Sequence, residues 1–407
     1  MKKFFMLVLC LSLGLTALLG GCGQPESPAT GGEGENPAKT VYEEVYLKPG
    51  ETYNLYEQLK YEGENADVLE ITVGTEKFAG VKTVSYDSDN ITVSDGIITA
   101  KQITPDDLTC DEVSYTPASD ATLTVIVKFC VVNVEKYGDT LLTPSVGRLY
   151  GKKAVFLGDS ITDQSALWWK TNTWTKVDKT GKYVRENTRL VTVTGITENY
   201  VNMLDTACNF ASLSNPAVAG ALCSYYDAKY ANKSYSIPMQ IKNNEAKIAD
   251  ADYVFVMGGT NDSYEINKDG APLKLGEITD VADETAFVLT DATKPLSTFY
   301  GFYNYILSRI KSLNETAGVI CLSNIPCMST YGYSGGRSNG HNNEGICGVN
   351  EAVKNCTVKN KVCYVDIYSV IPSDKDGKYN RVWFTNDELH PNQVAYELIT
   401  DKILSNQ

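Results

Sequence analysis

The chain has 407 residues, of which 43% are hydrophobic and 21% charged, an ordinary composition for a globular protein long enough to hold two domains. Its formal net charge at pH 7 is −14. We therefore do not expect nucleic acid as a partner, because phosphate binding needs a basic patch and the sequence shows none.

The first 40 residues predict an export signal and a tether. The basic start "MKK" precedes an apolar run of 16 residues, Phe4–Leu19, which is short for a membrane span and typical of a signal peptide. "LGGC" ends at Cys22 and resembles the lipobox of bacterial lipoproteins, which implies a signal peptide of residues 1–21 and acylation of Cys22. Residues 22–40 are rich in Gly, Pro, Glu and Ser and predict a flexible linker.

These features predict the location of the protein. Acyl chains on Cys22 would anchor it, without spanning, to the extracellular face of a bacterial cell membrane. The alternative is an ordinary secretory signal with an incidental Cys22, which predicts a secreted protein.

Residues 41–137 predict an all-β domain. About seven short runs rich in Val, Ile, Thr and Tyr are separated by Gly, Asp, Asn and Pro, a pattern that indicates a sandwich. Within it, "VSYDSDNITVSDGIITAKQ" resembles bacterial Ig-like modules of the second type, which implies a spacer or an adhesive role. Cys110 and Cys130 are the only cysteines in this region, so they are candidates for a disulfide. No C-x-x-C pair occurs in the chain, and we expect no metal site.

Residues 151–407 predict an α/β domain. The nearly continuous apolar runs "KAVFLG", "YVFVMGG", "GVICLSNI" and "VCYVDIYSV" alternate with helical stretches, and a short strand near "ACNFAS" makes five. Strands that are apolar on both faces and alternate with helices indicate a parallel sheet between helical layers. Ligands bind beyond the carboxyl ends of such strands, which is where "VFLGDSIT" places Ser160.

A serine hydroxyl needs a base before it attacks an acyl carbon, and the chain has only two histidines. His341 lies in a Gly- and Ser-rich loop. His390 lies just before a helix and three residues after Asp387, a carboxylate that could hold the imidazole by its Nδ1 hydrogen. We therefore expect Ser160 as nucleophile, His390 as base and Asp387 as its orienting partner; the alternative is a helix-entry histidine without a partner.

Acyl transfer also needs donors for the developing oxyanion. "VFVMGGTND" ends a strand in Asn261, whose amide could donate, although an asparagine at this position is more often a turn residue. "NPAVAG" places Gly220 in a loop after the second predicted strand, where its backbone N–H could donate too.

These motifs occur in an order that resembles the SGNH, or GDSL-like, hydrolase family. "FLGDSIT", "GGTND" and "DELHP" match three of its blocks, and "NPAVAG" matches the second block loosely. The resemblance implies a three-layer α/β/α, flavodoxin-like fold with a five-stranded parallel sheet. It also implies the catalytic roles of Ser160, His390 and Asp387 and an oxyanion hole of the Ser160 N–H, the Gly220 N–H and the Asn261 amide. Asp159 is expected to fix the turn, and no metal or organic cofactor is expected.

An aromatic stretch, residues 165–195, has no counterpart in this pattern. It carries Trp168, Trp169 and Trp174 and is expected to fold as a hairpin around "DKTG". A lid or sugar-stacking platform beside Ser160 is one interpretation, and a hairpin that packs its own aromatic side chains is the other.

The sequence thus predicts a cell-surface serine ester hydrolase that removes O-acetyl or other short acyl groups from carbohydrate. A lipase or arylesterase would use the same residues on lipid or aryl esters. A hypothesis of another class is a non-enzymatic, glycan-binding or adhesive surface lipoprotein.

Overall fold

The structure is a computed structural model, and it describes twelve stretches of the chain. These stretches are residues 39–61, 68–101, 110–117, 120–163, 173–177, 189–193, 198–224, 236–266, 273–287, 297–326, 341–371 and 389–405. The predicted signal peptide, Cys22 and the linker up to residue 38 lie outside them.

Within its described residues, the strand-rich region contains nine strands and one α-helix. They are β1 (Lys39–Leu47), β2 (Thr52–Asn54), α1 (Leu55–Tyr61), β3 (Val68–Val73), β4 (Glu76–Phe78), β5 (Ser85–Asp87), β6 (Ile91–Ser94), β7 (Ile97–Ala100), β8 (Cys110–Pro117) and β9 (Leu123–Val131). One sheet has the order β1-β9-β8-β3-β4 and the other β2-β7-β6-β5. The sequence predicts about seven strands, fewer than the nine that the structure describes. Strands of three residues, such as β4 and β5, are too short to show a period of two in the sequence.

Local chemistry explains the hairpin of β6 and β7. Asp95 and Gly96 join the two strands and both have positive φ, 51° and 77°, as a two-residue turn between twisted strands requires. Alternate residues of β6, Ile91 and Val93, are buried. Buried side chains of both sheets share a single hydrophobic core. The resemblance to an Ig-like module stays a prediction.

Two short helices, α2 (Val134–Tyr137) and α3 (Val146–Leu149), lead into the α/β region. Its strands are β10 (Lys153–Gly158), β11 (Thr173–Val177), β12 (Arg189–Val193), β13 (Ser212–Ser214), β14 (Tyr253–Met257), β15 (Gly318–Leu322) and β16 (Cys363–Val365). Its helices are α4 (Tyr200–Cys208), α5 (Ile237–Asn243), α6 (Glu245–Ala249), α7 (Thr260–Ile266), α8 (Phe299–Leu313), α9 (His341–Asn360) and α10 (Gln393–Leu404). None of the helices within the described stretches is apolar over enough length to cross a bilayer.

Five parallel strands form the central sheet in the order β13-β10-β14-β15-β16. Alternate residues of β10 belong to different cores: Phe156 packs with residues of α4 and α10, whereas Leu157 packs with residues of α5, α8 and α9. The predicted α/β fold with a five-stranded parallel sheet is therefore confirmed. Counted along the chain the strand order is 2-1-3-4-5, so the topological switch point lies between β10 and β14.

The strands of the predicted hairpin pair as expected. β11 and β12 run antiparallel, with Thr173 opposite Val193 and Val177 opposite Arg189. The "DKTG" turn lies outside the described residues. In the strand-rich region Cys130 is disulfide-bonded, and Cys110 stands opposite it in the register of β8 and β9.

A buried arginine joins the strand-rich region to the central sheet. Arg148 of α3 places Nε 2.8 Å from Glu51 Oε1, while Nη1 donates to the Thr143 carbonyl at 2.8 Å and Nη2 to the Tyr46 carbonyl. Tyr253, the first residue of β14, donates its hydroxyl to the same Glu51 oxygen at 2.9 Å. The strand-rich region is thus attached where the parallel strands begin.

A buried carboxylate forms a second attachment at that edge. Asp139 lies between Lys48 of the strand-rich region and Lys311 of α8, with Lys311 Nζ 2.9 Å from Asp139 Oδ2. Lys311 also donates to the carbonyl of Ala317, just before β15. The carboxyl ends of the strands, at the opposite edge, carry none of these contacts.

Candidate active site

The first strand of the sheet ends in a turn that requires glycine. A Cβ added to Gly158 would lie 2.4 Å from Thr162 Oγ1 and 2.9 Å from the Met257 carbonyl oxygen. Asp159 then fixes the turn, because its Oδ1 accepts a hydrogen bond of 3.0 Å from the Ile161 N–H. The half-buried Ser160 is thereby held at the carboxyl edge of the sheet.

The nucleophile and base candidates meet at this edge. Ser160 Oγ lies 2.9 Å from His390 Nε2, although the two residues are 230 positions apart in the chain. His390 precedes α10, whose first turn is fixed by a cap in which Asn392 Oδ1 accepts from the Ala395 N–H. The predicted convergence of the two side chains is confirmed. Asp387 lies outside the described residues, and its role stays a prediction.

The oxyanion candidates lie on two adjoining segments. Asn261 lies at the start of α7, and its Nδ2 donates to the Ala221 carbonyl at 2.9 Å. Ala221 is the residue after Gly220. Gly220 is exposed and has φ +82°, a conformation that favours glycine. Within the described part of the chain, neither the Gly220 N–H nor the Ser160 N–H has a protein acceptor.

The family follows from a match over most of the α/β region. Residues 156–398 match the GDSL-like Lipase/Acylhydrolase family. The chain belongs to this family. It is therefore an ester hydrolase.

Solved structures share low overall similarity with the chain. A protein from Lactobacillus plantarum is 21% identical with a TM-score of 0.39, covering 62% of this chain and 95% of its own. An alpha/beta hydrolase enzyme from the metagenome of Lake Arreo is 17% identical with a TM-score of 0.36, covering 63% and 95%. A GDSL-like lipase from Bacteroides thetaiotaomicron is 14% identical with a TM-score of 0.34, covering 62% and 86%. No curated protein gives a significant match.

In this GDSL-like enzyme the residue after Asn261 holds the same loop. The buried Asp262 carboxylate accepts hydrogen bonds from the Cys223 N–H at 2.8 Å and the Ser224 N–H at 3.0 Å. Asn261 and Asp262 together therefore bind the backbone from residue 221 to residue 224, immediately after Gly220. Burial raises the pKa of Asp262 to about 6, although the hydrogen bonds oppose the rise.

Asp159, the residue before Ser160, is a second buried carboxyl. Burial raises its pKa to about 6; the Ile161 N–H and His390 lower it, and Asp262 raises it. A hydrogen bond with the Thr260 side chain also lowers the pKa of Asp159, by less than burial raises it. The negative charge of Asp159 is therefore costly to hold, although it lies beside the histidine that would become a cation during catalysis.

A buried amide network supports the junction of β14 and α7. Gly259 has φ +118°, and a Cβ there would lie 2.4 Å from Val349 Cγ1. Next to it, Thr260 Oγ1 donates to Asn324 Oδ1 at 2.9 Å, and Asn324 Nδ2 donates to Asn350 Oδ1 at 2.9 Å. Thr260 and Asp262 lie in the motif "GGTND", which assigns neither of them a role, whereas Asn324 and Asn350 lie outside the motifs that predict the site. A polar residue inside or just after an apolar run, as in "CLSNIP", is the available signal.

The remaining predicted site residues are not tested by the structure. Trp168 and Trp169 lie outside the described residues, and Trp174 is described only by its backbone in β11, where it pairs with Thr192. Across the described stretches, no group of three or more His, Cys, Asp or Glu side chains is arranged to hold a metal ion.

Proposed function

We propose that Ser160 is the nucleophile and His390 the general base of a serine ester hydrolase. The 2.9 Å contact between Ser160 Oγ and His390 Nε2 is the observation that carries the proposal. With the imidazole proton on Nδ1, Nε2 accepts the serine hydroxyl hydrogen. Asp387, three residues before His390 in the sequence, would hold that Nδ1 proton.

The reaction would proceed in two acyl transfers. Ser160 Oγ attacks the ester carbonyl carbon while its proton moves to His390, and the carbonyl oxygen becomes an oxyanion. The intermediate then collapses: the bond to the alcohol oxygen breaks, His390 returns the proton to that oxygen, and the alcohol leaves. Water, deprotonated by His390, attacks the acyl-enzyme in the same way, which releases the carboxylic acid and restores Ser160.

The oxyanion would bind to the Ser160 N–H, the Gly220 N–H and the Asn261 amide. The two backbone groups have no protein acceptor within the described residues, so they remain free to donate. Asn261 uses one amide hydrogen on the Ala221 carbonyl, which fixes the orientation of the amide and leaves its second hydrogen for the substrate. Donors fixed before the reaction need no reorganisation as charge develops.

The substrate class we propose is carbohydrate with O-acetyl or other short acyl groups. Three features support it: the export signal predicted at the N-terminus, the strand-rich region before the catalytic one, and the tryptophans that follow Ser160 in the sequence. We propose further that acylation of Cys22 anchors the enzyme to the outside of the cell.

The test is release of acetate from a panel of acetylated polysaccharides, with p-nitrophenyl acetate and p-nitrophenyl octanoate as references. We expect acetate release and a higher kcat/KM on the acetyl than on the octanoyl ester. A preference for the octanoyl ester would indicate a lipase. Glycan binding with no ester hydrolysis would contradict the proposal and favour the adhesive alternative.

A further inference from the structure

One buried amide is bound to the backbone just before the nucleophile. Gln240 of α5 donates from Nε2 to the Gly158 carbonyl at 2.8 Å, and its Oε1 accepts from the Gly158 N–H at 2.9 Å. Its side chain is fully buried, and Gly158 lies two residues before Ser160. We infer that Gln240 is a positioning residue that aligns Ser160 for attack, an inference that rests on the proposed role of Ser160.

The shape of the sheet explains why an amide is needed here. β13 pairs only with the first three residues of β10, Lys153 to Val155. Beyond Val155, β10 has the neighbouring strand β14 on one side only. The Gln240 amide presents one N–H and one C=O side by side, as a peptide group would, and so takes the place of the missing strand residue at Gly158. Without it, the buried Gly158 N–H would lack a partner, and the Gly158 carbonyl would keep only the Val218 N–H.

Gly158 is also hydrogen-bonded to the loop that carries Gly220. The Gly158 carbonyl also accepts from the Val218 N–H at 3.2 Å, two residues before Gly220. The start of α5 is bound to this loop as well, because the Ile237 N–H donates to the Leu222 carbonyl at 2.9 Å. Gly158, whose two backbone groups Gln240 binds, is therefore also hydrogen-bonded to the loop that carries Gly220.

Loss of these bonds should lower the rate of chemistry more than substrate binding. Ser160 Oγ and the oxyanion donors must meet one carbonyl group together, and a misplacement of about 1 Å can cost about 100-fold in rate. Gln240 itself is buried and would not contact substrate, so KM should change little.

The first test compares Gln240→Met with Gln58→Met. Gln58 is also buried and accepts from a glycine N–H, that of Gly147, at 2.9 Å, but it lies in α1 of the strand-rich region. With p-nitrophenyl acetate we expect kcat of Gln240→Met to fall about 10- to 100-fold, with KM within about threefold. Gln58→Met should keep kcat within about twofold while its thermal stability falls. Equal kcat values for the two variants would overturn the inference.

The second test, Gln240→Glu, does not depend on the methionine variant folding. A protonated glutamic acid can donate to the Gly158 carbonyl and accept from its N–H, whereas the ionised form cannot donate. Buried glutamates titrate as high as about pH 9. We expect the ratio of kcat to wild type to be highest near pH 6 and to fall at least about fivefold by pH 9.5, as the acid ionises. A ratio that stays constant over this range contradicts the inference.

Ser160→Ala separates this inference from the proposed function. If Ser160→Ala keeps its activity, the proposed role of Ser160 as nucleophile is wrong. An inactive Ser160→Ala together with a fully active Gln240→Met would leave the proposed function intact and remove only the role of Gln240.

Discussion

The two edges of the central sheet handle polar groups in opposite ways. At the amino edge, charges are neutralised by partners: Arg148 lies against Glu51, and Asp139 lies between two lysines. At the carboxyl edge, donors are left open, because the N–H groups of Ser160 and Gly220 have no protein acceptor within the described residues. Two unpaired backbone donors beside the Ser160 hydroxyl are free to bind a ligand, so this is the edge where a substrate oxygen could accept from them.

Carboxyl groups show the same difference. Glu51 is paired with a guanidinium and accepts from the Tyr253 hydroxyl. Asp159 and Asp262 are held mainly by backbone N–H groups, and burial raises the pKa of each to about 6. The amino edge therefore stabilises the fold and attaches the strand-rich region, whereas the carboxyl edge keeps groups whose protonation can change near neutral pH.

The largest effect expected is on activity at the carboxyl edge. Ser160→Ala should lower kcat about 10⁴-fold or more if Ser160 has the proposed role, because a nucleophile and its base act as a unit. Ser160 is half-buried, so the free energy of unfolding should change by less than about 1 kcal/mol. Hydrolysis of p-nitrophenyl acetate and urea denaturation measure the two quantities.

A serine at the amino edge is the matched control. Ser145 caps α3, and its Oγ accepts from the Arg148 N–H. Ser145→Ala should cost about 1 kcal/mol of stability and leave kcat within about twofold. If both serine variants lose activity to the same extent, the carboxyl edge has no special role in catalysis, which contradicts the comparison.

At the amino edge, Glu51→Ala should affect stability alone. Arg148 is fully buried, and removal of its carboxylate leaves an unpaired charge. We expect a loss of about 3 to 5 kcal/mol in the free energy of unfolding, with kcat of the folded enzyme within about twofold. The exposed pair of Glu70 with Lys77 supplies the control, because Glu70→Ala should cost less than about 1 kcal/mol. A comparable loss in both variants would argue against the importance of the buried pair.

Asn261→Ala should act on the transition state. Loss of one oxyanion donor typically lowers kcat about 10²- to 10³-fold, and we expect a change of that size with KM little altered. Asn314 provides a comparison at the amino edge, because its Nδ2 donates to the Ala251 carbonyl at 2.8 Å, far from the nucleophile in the sheet. Asn314→Ala should destabilise the protein and keep its kcat. An Asn261→Ala enzyme with normal kcat would remove Asn261 from the proposed oxyanion hole.

Much of the carboxyl edge can be predicted from the sequence, because local patterns determine it. Apolar runs separated by helical stretches predict the parallel sheet, and parallel strands bring the residues after β10 and β14 to one edge. "GDS" and "DELHP" then identify Ser160 and His390, and the 2.9 Å contact confirms their meeting. The turn after β10 positions Ser160 at this edge, and a local cap fixes the start of the helix that follows His390.

The contacts at the amino edge and the hydrogen bonds that support the Ser160 turn could not be predicted in this way. In "PSVGRLYG", Arg148 looks like a residue of an exposed connector, and in "SIPMQIKNN", Gln240 looks like an ordinary polar residue of a helix. Each is buried only because a partner distant in sequence, Glu51 or Gly158, meets it in the folded chain. Periodicity indicates which residues are apolar, but it carries no information on which buried polar groups will pair.

The smallest effect expected is a pH-dependent change in stability at Asp159. Its pKa in the folded protein is raised to about 6, so between about pH 4 and pH 6 the folded state keeps a proton that the unfolded chain has lost. The contribution of Asp159 to stability therefore falls as pH rises through this window, and it is constant above it. In Asp159→Asn the amide oxygen can still accept from the Ile161 N–H, and no charge is buried. As pH rises from 4 to 6.5, the free energy of unfolding of the variant should increase by about 2 kcal/mol relative to that of wild type, measured by urea denaturation.

Asp120→Asn tests the sign of this effect. The pKa of Asp120 is lowered by hydrogen bonds from Thr122, first from its side chain and then from its backbone, so its ionised form favours the folded state. Stability from Asp120 is present at higher pH and is lost as pH falls, which is opposite to Asp159. As pH rises from the acid side, the stability of Asp120→Asn should therefore fall relative to wild type, whereas the stability of Asp159→Asn should rise relative to wild type. If both variants follow the same pH profile, the Asp159 carboxyl is not held against its preferred protonation, and its assignment as a strained buried acid at the carboxyl edge is wrong.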